Sequence, residues 1–157
     1  MFIYDNSTPS MPTYISQFNH STACDPVFVY GDHAFVTLRD GTPCETFSNE
    51  LDVVNISNIT NPFLVKAYPM DNPHGLSIKN DILYLCDGKS GLRVFDISDL
   101  NAIDEHQLSH LSGKDSYDII VLPGSDVALL IGADGLYQYD VSDPNHLVEL
   151  SRIPVQR

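Results

Sequence analysis

The sequence predicts an all-β protein built from repeated units of four antiparallel strands. The main observation is a motif at residues 91–99 that returns at residues 135–143 and, in weaker form, at residues 51–58. A self-similar unit of roughly 40 to 45 residues is typical of a repeat architecture. Short runs rich in Val, Ile, Leu, Tyr and Phe also alternate with clusters of Gly, Asn and Asp, as in short antiparallel strands. Helix signals are weak, and the best of them, residues 102–108, would make one turn at a position where the repeat predicts a strand instead.

The composition indicates a folded domain and argues against two classes of partner. The chain has 157 residues and a hydrophobic share of 43%, which suits one domain with a real core. Its 8 Lys and Arg residues against 21 Asp and Glu residues give a formal net charge of -13. Because this charge repels phosphate backbones and anionic lipid, we expect no nucleic-acid partner. Apolar runs are too short for a membrane-spanning helix, and residues 1–12 do not resemble a signal peptide.

Turn chemistry and strand alternation divide the chain into successive units. Each complete unit has four short strands, and the spacing of the turns repeats from one unit to the next. The whole chain, 1–157, is therefore predicted to form one continuous segment. Its predicted parts are the outer two strands of a partial unit at 1–20 and complete units at 24–69, 73–112 and 116–154.

The aspartates of the motif are predicted to end strands rather than to carry out chemistry. Asp96 and Asp140 are each followed two positions later by Ser, and Asn55 stands at the same place in the weaker copy. Short side-chain oxygens at such positions accept hydrogen bonds from backbone N–H groups two residues on. Pro62 and Pro144 then fix the direction in which the chain leaves each turn.

These repeats resemble the LVIVD repeat family, a β-propeller family, through strands such as residues 92–96. The segments 24–27 and 34–44 are similar to family members found in outer-membrane lipoproteins of Bacteroidetes. Gln138 departs from the pattern by interrupting the apolar strand of the last unit. The resemblance implies an all-β fold, a β-propeller segment of about three and a half four-stranded antiparallel blades. It also implies an exported protein at the outer membrane or cell surface.

The number of blades leaves two alternatives. A propeller usually needs 4 to 8 four-stranded blades to close, and the sequence supplies three complete ones. Either the chain is the C-terminal portion of a longer protein, which we favour, or it must associate with another subunit. Sheet flanks that normally pack on neighbouring blades would otherwise be exposed. We therefore expect the missing blades to come from the rest of the chain or from another subunit, with oligomers if the segment is isolated.

Candidate binding residues collect at one rim of such a propeller. The starts of the inner strands and the loops between the second and third strands share this rim, beside the central channel. Irregular polar loops on a rigid scaffold are common binding sites. The predicted binding residues are Asp25, His74, Tyr117 and Asp118 around the channel mouth, with Arg39, Asp87, Lys89 and Asp134 in the loops above it.

The three cysteines fall into a pair and a single residue. Cys24 precedes an inner strand and Cys44 lies in a loop of the same blade, so both lie on one rim. A disulfide between them is predicted, and it would close the longest loop and indicate an oxidising compartment. Cys86, at the end of a strand, is predicted to be a small buried apolar residue.

The functional prediction is a non-enzymatic binding or interaction module with a protein or glycan ligand. The alternative is a propeller-type hydrolase that acts on carbohydrate at the channel mouth, with Asp25 and Asp118 as acid and base. No zinc or calcium spacing is present, because His33 and His74 come from opposite rims and the loop 87–91 holds one carboxylate beside a Lys. The sequence predicts no cofactor and no metal.

Overall fold

The structure, a computed structural model, describes residues 1–19, 26–40 and 48–155. Within these ranges the chain is almost entirely β-structure, in agreement with the predicted fold class. The strands are β1 (Phe2–Asp5), β2 (Thr13–Gln17), β3 (Val27–Tyr30), β4 (His33–Leu38), β5 (Glu50–Asn55), β6 (Phe63–Pro69), β7 (Leu76–Lys79), β8 (Ile82–Cys86), β9 (Leu92–Asp96), β10 (Gln107–Leu111), β11 (Ser116–Val121), β12 (Val127–Gly132), β13 (Gly135–Asp140) and β14 (Val148–Pro154).

The strands form four antiparallel sheets in chain order. Sheet I contains β1 and β2, sheet II contains β3 to β6, sheet III contains β7 to β10, and sheet IV contains β11 to β14. In each four-stranded sheet, consecutive strands are neighbours, so every sheet is a simple meander. The innermost strands β3, β7 and β11 contact one another in turn. This arrangement confirms the prediction of a partial β-propeller with three complete blades and one two-stranded blade.

Hydrophobic cores lie between successive sheets, because each strand alternates its side chains between two faces. We call the face turned toward the next sheet in chain order the forward face and the opposite one the backward face. The forward face of sheet II and the backward face of sheet III share one core, which includes Phe35, Leu51, Leu83 and Phe95. Sheets III and IV share a second core around Tyr84, Leu92, Leu130 and Tyr139.

The third core lies between sheets I and II. It contains Ala34, Val36, Leu38 and Val54 from the backward face of sheet II, and Met1 and Phe18 pack against them. Burial of each large apolar side chain in such a core contributes about 1.5–3 kcal/mol. Three interfaces of this kind hold the stack of sheets together.

The predicted strand-ending turns are present in all four copies of the motif. The backbone N–H two residues later, that of Ser7, Ser57, Ser98 or Ser142, donates to the motif side chain. The acceptors are Asp5 at 2.8 Å, Asn55 at 3.0 Å, Asp96 at 2.8 Å and Asp140 at 2.9 Å. These bonds hold the pKa values of the three carboxyl groups below their usual range.

One short helix differs from the strand that the repeat predicts. Residues Ile103–Glu105 form a 3-10 helix before β10 begins at Gln107. The side chain of Ile103 is fully buried in the core between sheets II and III, and its N–H donates to the hydroxyl of Tyr68 at 3.3 Å. The same hydroxyl donates to the carbonyl of Leu100 at 2.6 Å. A helical turn is favoured here because it inserts Ile103 between the sheets.

Candidate binding site at the channel mouth

Four of the predicted binding residues come together at one rim of the stack. Arg39 directly follows β4 in sheet II, and His74 lies two residues before β7 in sheet III. Tyr117 and Asp118 belong to the first strand of sheet IV, β11. Three different sheets therefore supply the group, which we call the mouth cluster: Arg39, His74, Tyr117 and Asp118.

His74 is the centre of the mouth cluster. Its N–H donates to the carbonyl of Cys86 at 2.7 Å, and its carbonyl accepts from the hydroxyl of Thr37 at 2.8 Å. Nη1 of Arg39 lies 3.0 Å from Nε2 of the imidazole and also contacts Nδ1. Since a guanidinium can only donate, the imidazole is the acceptor in this hydrogen bond. The ring of Tyr117 lies 5.5 Å from that of His74, measured between ring centroids.

Asp118 lies directly against the backbone of Gly75. A Cβ atom added to Gly75 would stand 1.8 Å from Oδ1 of Asp118 and 2.9 Å from its Cα. The N–H of Gly75 donates to the carbonyl of Tyr117 at 2.9 Å, which joins the starts of β7 and β11. Oδ1 of Asp118 accepts from the N–H of Ile119 at 2.9 Å. The glycine after His74 therefore allows two sheets to meet closely at the mouth.

A groove runs from the mouth along the inner strands β7 and β11. Its volume is about 750 Å³, and its wall is mostly apolar. Asp118 stands at one end, and Lys79 stands toward the other, where its ammonium group donates to Asp126 at 2.7 Å. An apolar concavity with a few convergent polar groups is the usual form of a small-ligand site. The lining residues include Phe28, Leu76, Ile78, Ile120, Val121 and Leu122.

The other predicted site residues lie apart from this cluster. Asp87 is fully buried, and its carboxylate accepts from the N–H of Asn72 at 2.7 Å and pairs with Nε of Arg93 at 2.9 Å. It thus holds the turn that precedes His74. Lys89 is exposed in the loop after β8, and Asp134 pairs with Arg152 at 2.9 Å. The remaining predicted residues lie outside the described residues: Asp25 and the disulfide pair Cys24 and Cys44.

Sequence reasoning missed a buried carboxylate in sheet II. Asp52 is 4% exposed, and its Oδ1 atom has no hydrogen-bond partner. Burial, with a smaller contribution from the negative charge of Glu50, raises the pKa of Asp52 to about 6. In the register of the motif, Asp52 is equivalent to Arg93 of sheet III and Tyr137 of sheet IV. A charged residue inside the apolar run 51–54 was the signal that could have revealed it.

Cys86 is buried, as predicted, and has no disulfide partner. Burial raises the pKa of its thiol to about 12, so the reactive thiolate is scarce at neutral pH. Among the residues that the structure describes, no three His, Cys, Asp or Glu side chains are grouped so that they could hold a metal ion. No helix within the described ranges is long and apolar enough to cross a membrane.

Comparison with known families agrees with the repeat seen in the sequence and in the sheets. The family model of the LVIVD repeat matches residues 22–69 and 73–107, which together make up more than half of the chain. These ranges contain all of sheet II and most of sheet III. No curated protein matches the chain.

Proposed function

The chain belongs to the LVIVD repeat family, and on this premise we propose that it is a non-enzymatic binding module whose ligand is held at the channel mouth. The observation that carries the proposal is the mouth cluster, which three sheets assemble at one rim and of which Asp118 also lines the apolar groove. Residues from separate repeats converge there, although the formation of the strands does not require these types of side chain at these positions. Such a polar group on a rigid β-scaffold is suited to recognition.

The chemistry of the cluster favours a glycan as the ligand. Tyr117 is 39% exposed and offers an aromatic face on which the C–H groups of a sugar ring can pack. Asp118 supplies an exposed carboxylate that accepts hydrogen bonds from hydroxyl groups. The guanidinium of Arg39 supplies planar donors beside them. A protein ligand with an exposed polar loop is the other outcome that the test below distinguishes.

A glycan-array screen, followed by calorimetric titration of the best ligand, tests the proposal. We expect Tyr117→Ala and Asp118→Asn each to weaken binding by about tenfold or more, or about 1.4 kcal/mol. Asp32→Asn is the matched control, because Asp32 is an exposed carboxylate in the turn after β3, at the opposite rim. Binding that neither variant weakens would contradict the proposal.

The same variants separate binding from catalysis. Turnover of a glycan by the chain that disappears in Asp118→Asn would favour the carbohydrate hydrolase instead. Capture of a protein but of no glycan would keep the binding module and change its ligand class. Retention of the bound sugar without cleavage is the result that we expect.

We further propose that the protein is exported and lies at the outer membrane or cell surface. The support is the similarity of residues 24–27 and 34–44 to outer-membrane lipoproteins, together with the pair Cys24 and Cys44. Titration of free thiols in the denatured, unreduced protein tests this. One reactive thiol, from Cys86, is the expected result, whereas three reactive thiols would contradict the disulfide and the oxidising location.

A further inference from the structure

The forward faces of three sheets can be compared position by position through the strand pairing. In sheet II, Leu51 pairs with Thr37 on one side and with Tyr68 on the other, and all three are 0% exposed. The equivalent row of sheet III is Cys86, Leu92 and Leu111. This row lies in the core that sheet III shares with sheet IV. The same row is therefore covered by the next sheet in both cases.

The equivalent row of sheet IV is apolar but uncovered. Leu136 pairs with Ile131 and with Ile153, which are 51% and 66% exposed. Ile120, on the neighbouring inner strand, is 55% exposed. Three large branched side chains on the forward face of sheet IV are thus each more than half exposed. Their positions are those that bind a following sheet elsewhere in the same chain.

Gln138 is the one polar position in the centre of this face, and it does not prevent burial. It is equivalent to Val53 and Val94, which are fully buried. Its Oε1 atom accepts from the hydroxyl of Ser151 at 2.9 Å. Its oxygen thus keeps a partner when the face is covered, so this amide is buried at a lower cost than one with no hydrogen bond. The forward face of sheet IV therefore remains suited to an apolar partner.

The backward face of sheet I has the complementary character. Tyr4 and Tyr14 pack edge to face at 5.8 Å between ring centroids, and each is 52% exposed. Phe2 on the same face is 66% exposed. In the motif, Tyr4 is equivalent to Phe95 and Tyr139, which are each 2% exposed because a preceding sheet covers them. The aromatic side chains of sheet I thus occupy the positions at which sheets III and IV pack against the forward face of the preceding sheet.

We propose that the forward face of sheet IV binds the backward face of sheet I in a second copy of this chain. Because sheet I has only two strands, the contact repeats the outer half of the two interfaces between complete sheets. Strands β1 and β2 lie against β13 and β14, with Tyr4 in the place of Phe95 or Tyr139. It is heterologous, because each copy uses a different surface on each side. The proposal concerns the faces of the stack and does not depend on ligand binding at the channel mouth.

Charge opposes the association but does not prevent it. Each copy carries a formal net charge of -13, so two copies repel each other. At about 0.15 M salt this repulsion between exposed charges is largely screened beyond about 8 Å. The two faces themselves carry apolar and aromatic side chains beside the polar pair Gln138 and Ser151. The oligomeric state should therefore be measured at this salt concentration or above.

Light scattering of the full chain after gel filtration tests the proposal, with one substitution on each face. The variant Ile153→Glu disrupts the forward face of sheet IV on its outer strand β14, and Tyr4→Glu disrupts the backward face of sheet I. Met11→Glu is the matched control, because Met11 is 73% exposed in the turn between β1 and β2. Circular dichroism verifies that each variant keeps its β-structure.

The parent chain and the control should have at least twice the 17.4 kDa mass of one chain. Each face variant alone should have the mass of one chain, because no intact pair of faces remains. An equimolar mixture of the two variants should form a pair, since one copy keeps a forward face and the other a backward face. A monomeric parent chain at all concentrations, a mixture that stays monomeric, or a Tyr4→Glu variant that still associates would overturn the proposal.

Discussion

The two rims of the stack differ in how similar their side chains are from one sheet to the next. At the rim where β1, β5, β9 and β13 end, which we call the turn rim, all four sheets use the same side-chain hydrogen bond. The bond lengths, 2.8 to 3.0 Å, are nearly equal from Asp5 to Asp140. At the rim of the channel mouth, equivalent positions carry different chemistry. One example is His74 before β7, whose equivalent position in sheet IV is taken by Tyr117 of β11.

The difference separates the requirements of the fold from those of a site. Every repeat must end a strand at this turn, and every repeat uses the same side-chain hydrogen bond to do so. The residues of the turn therefore reflect the geometry of the backbone. Positions at the mouth are free of that requirement, and sheets II, III and IV each contribute a different group to the mouth cluster. The repeated motif therefore marks structure, and the places where repeats disagree mark the candidate site.

Substitution of a glycine at each rim gives the largest expected difference. Gly75→Ala would drive a Cβ atom into Asp118, including its Cα at 2.9 Å, and should cost about 3 kcal/mol of unfolding free energy. At the turn rim, Gly31 has a φ of +57° and open space around it, so Gly31→Ala should cost about 1 kcal/mol. Urea denaturation measures both. Equal losses would contradict the close approach of sheets III and IV at the mouth.

Removal of the buried charge at Asp52 should stabilise the protein above pH 6. Because burial raises the folded-state pKa to about 6, the folded state binds more protons than the unfolded state between about pH 4 and 6. The stability of the parent chain should therefore fall as the pH rises through this window. Asp52→Asn should be about 2 kcal/mol more stable at pH 8 and nearly unchanged at pH 4. Urea denaturation at both pH values tests this, and a variant that is less stable at pH 8 would contradict the assignment.

Loss of one strand-ending turn should have the smallest effect. Asp96→Ala removes the 2.8 Å bond from the N–H of Ser98 and should cost about 0.5 kcal/mol, since the site is open to solvent. Asp96→Asn should be close to neutral, because Asn55 already makes the same bond at 3.0 Å in sheet II. Thermal denaturation of the two variants provides the comparison. An equal loss in Asp96→Asn and Asp96→Ala would show that the charge, rather than the hydrogen bond of the turn, is what matters.

Local features of the fold could be predicted from the sequence. The motif around Asp96 and Asp140 depends on residues two positions apart, and its turns formed as expected. The 3-10 helix at Ile103 differed because a contact with Tyr68, more than 30 residues away, decides it. Periodicity within one repeat carries no information about such contacts between sheets.

The candidate site could be predicted only in part. Repeat position was sufficient to bring His74, Tyr117 and Asp118 to one rim, because equivalent strand starts share a rim. It did not reveal that Asp87 is buried as a support for the loop, nor that Arg39 contacts His74, since both depend on how loops fold back over the sheets. Asp52 was overlooked because its role depends on the sheet that covers it.

The most direct test of the difference between the rims is to measure affinity and stability on the same samples. The ligand identified by the glycan screen is titrated into Tyr117→Ala and Asp96→Ala, and each variant is also unfolded in urea. We predict that Tyr117→Ala loses about tenfold or more in affinity with little change in stability. Asp96→Ala should lose a little stability and keep its affinity. Equal losses of affinity in the two variants would contradict the assignment of binding to the channel mouth.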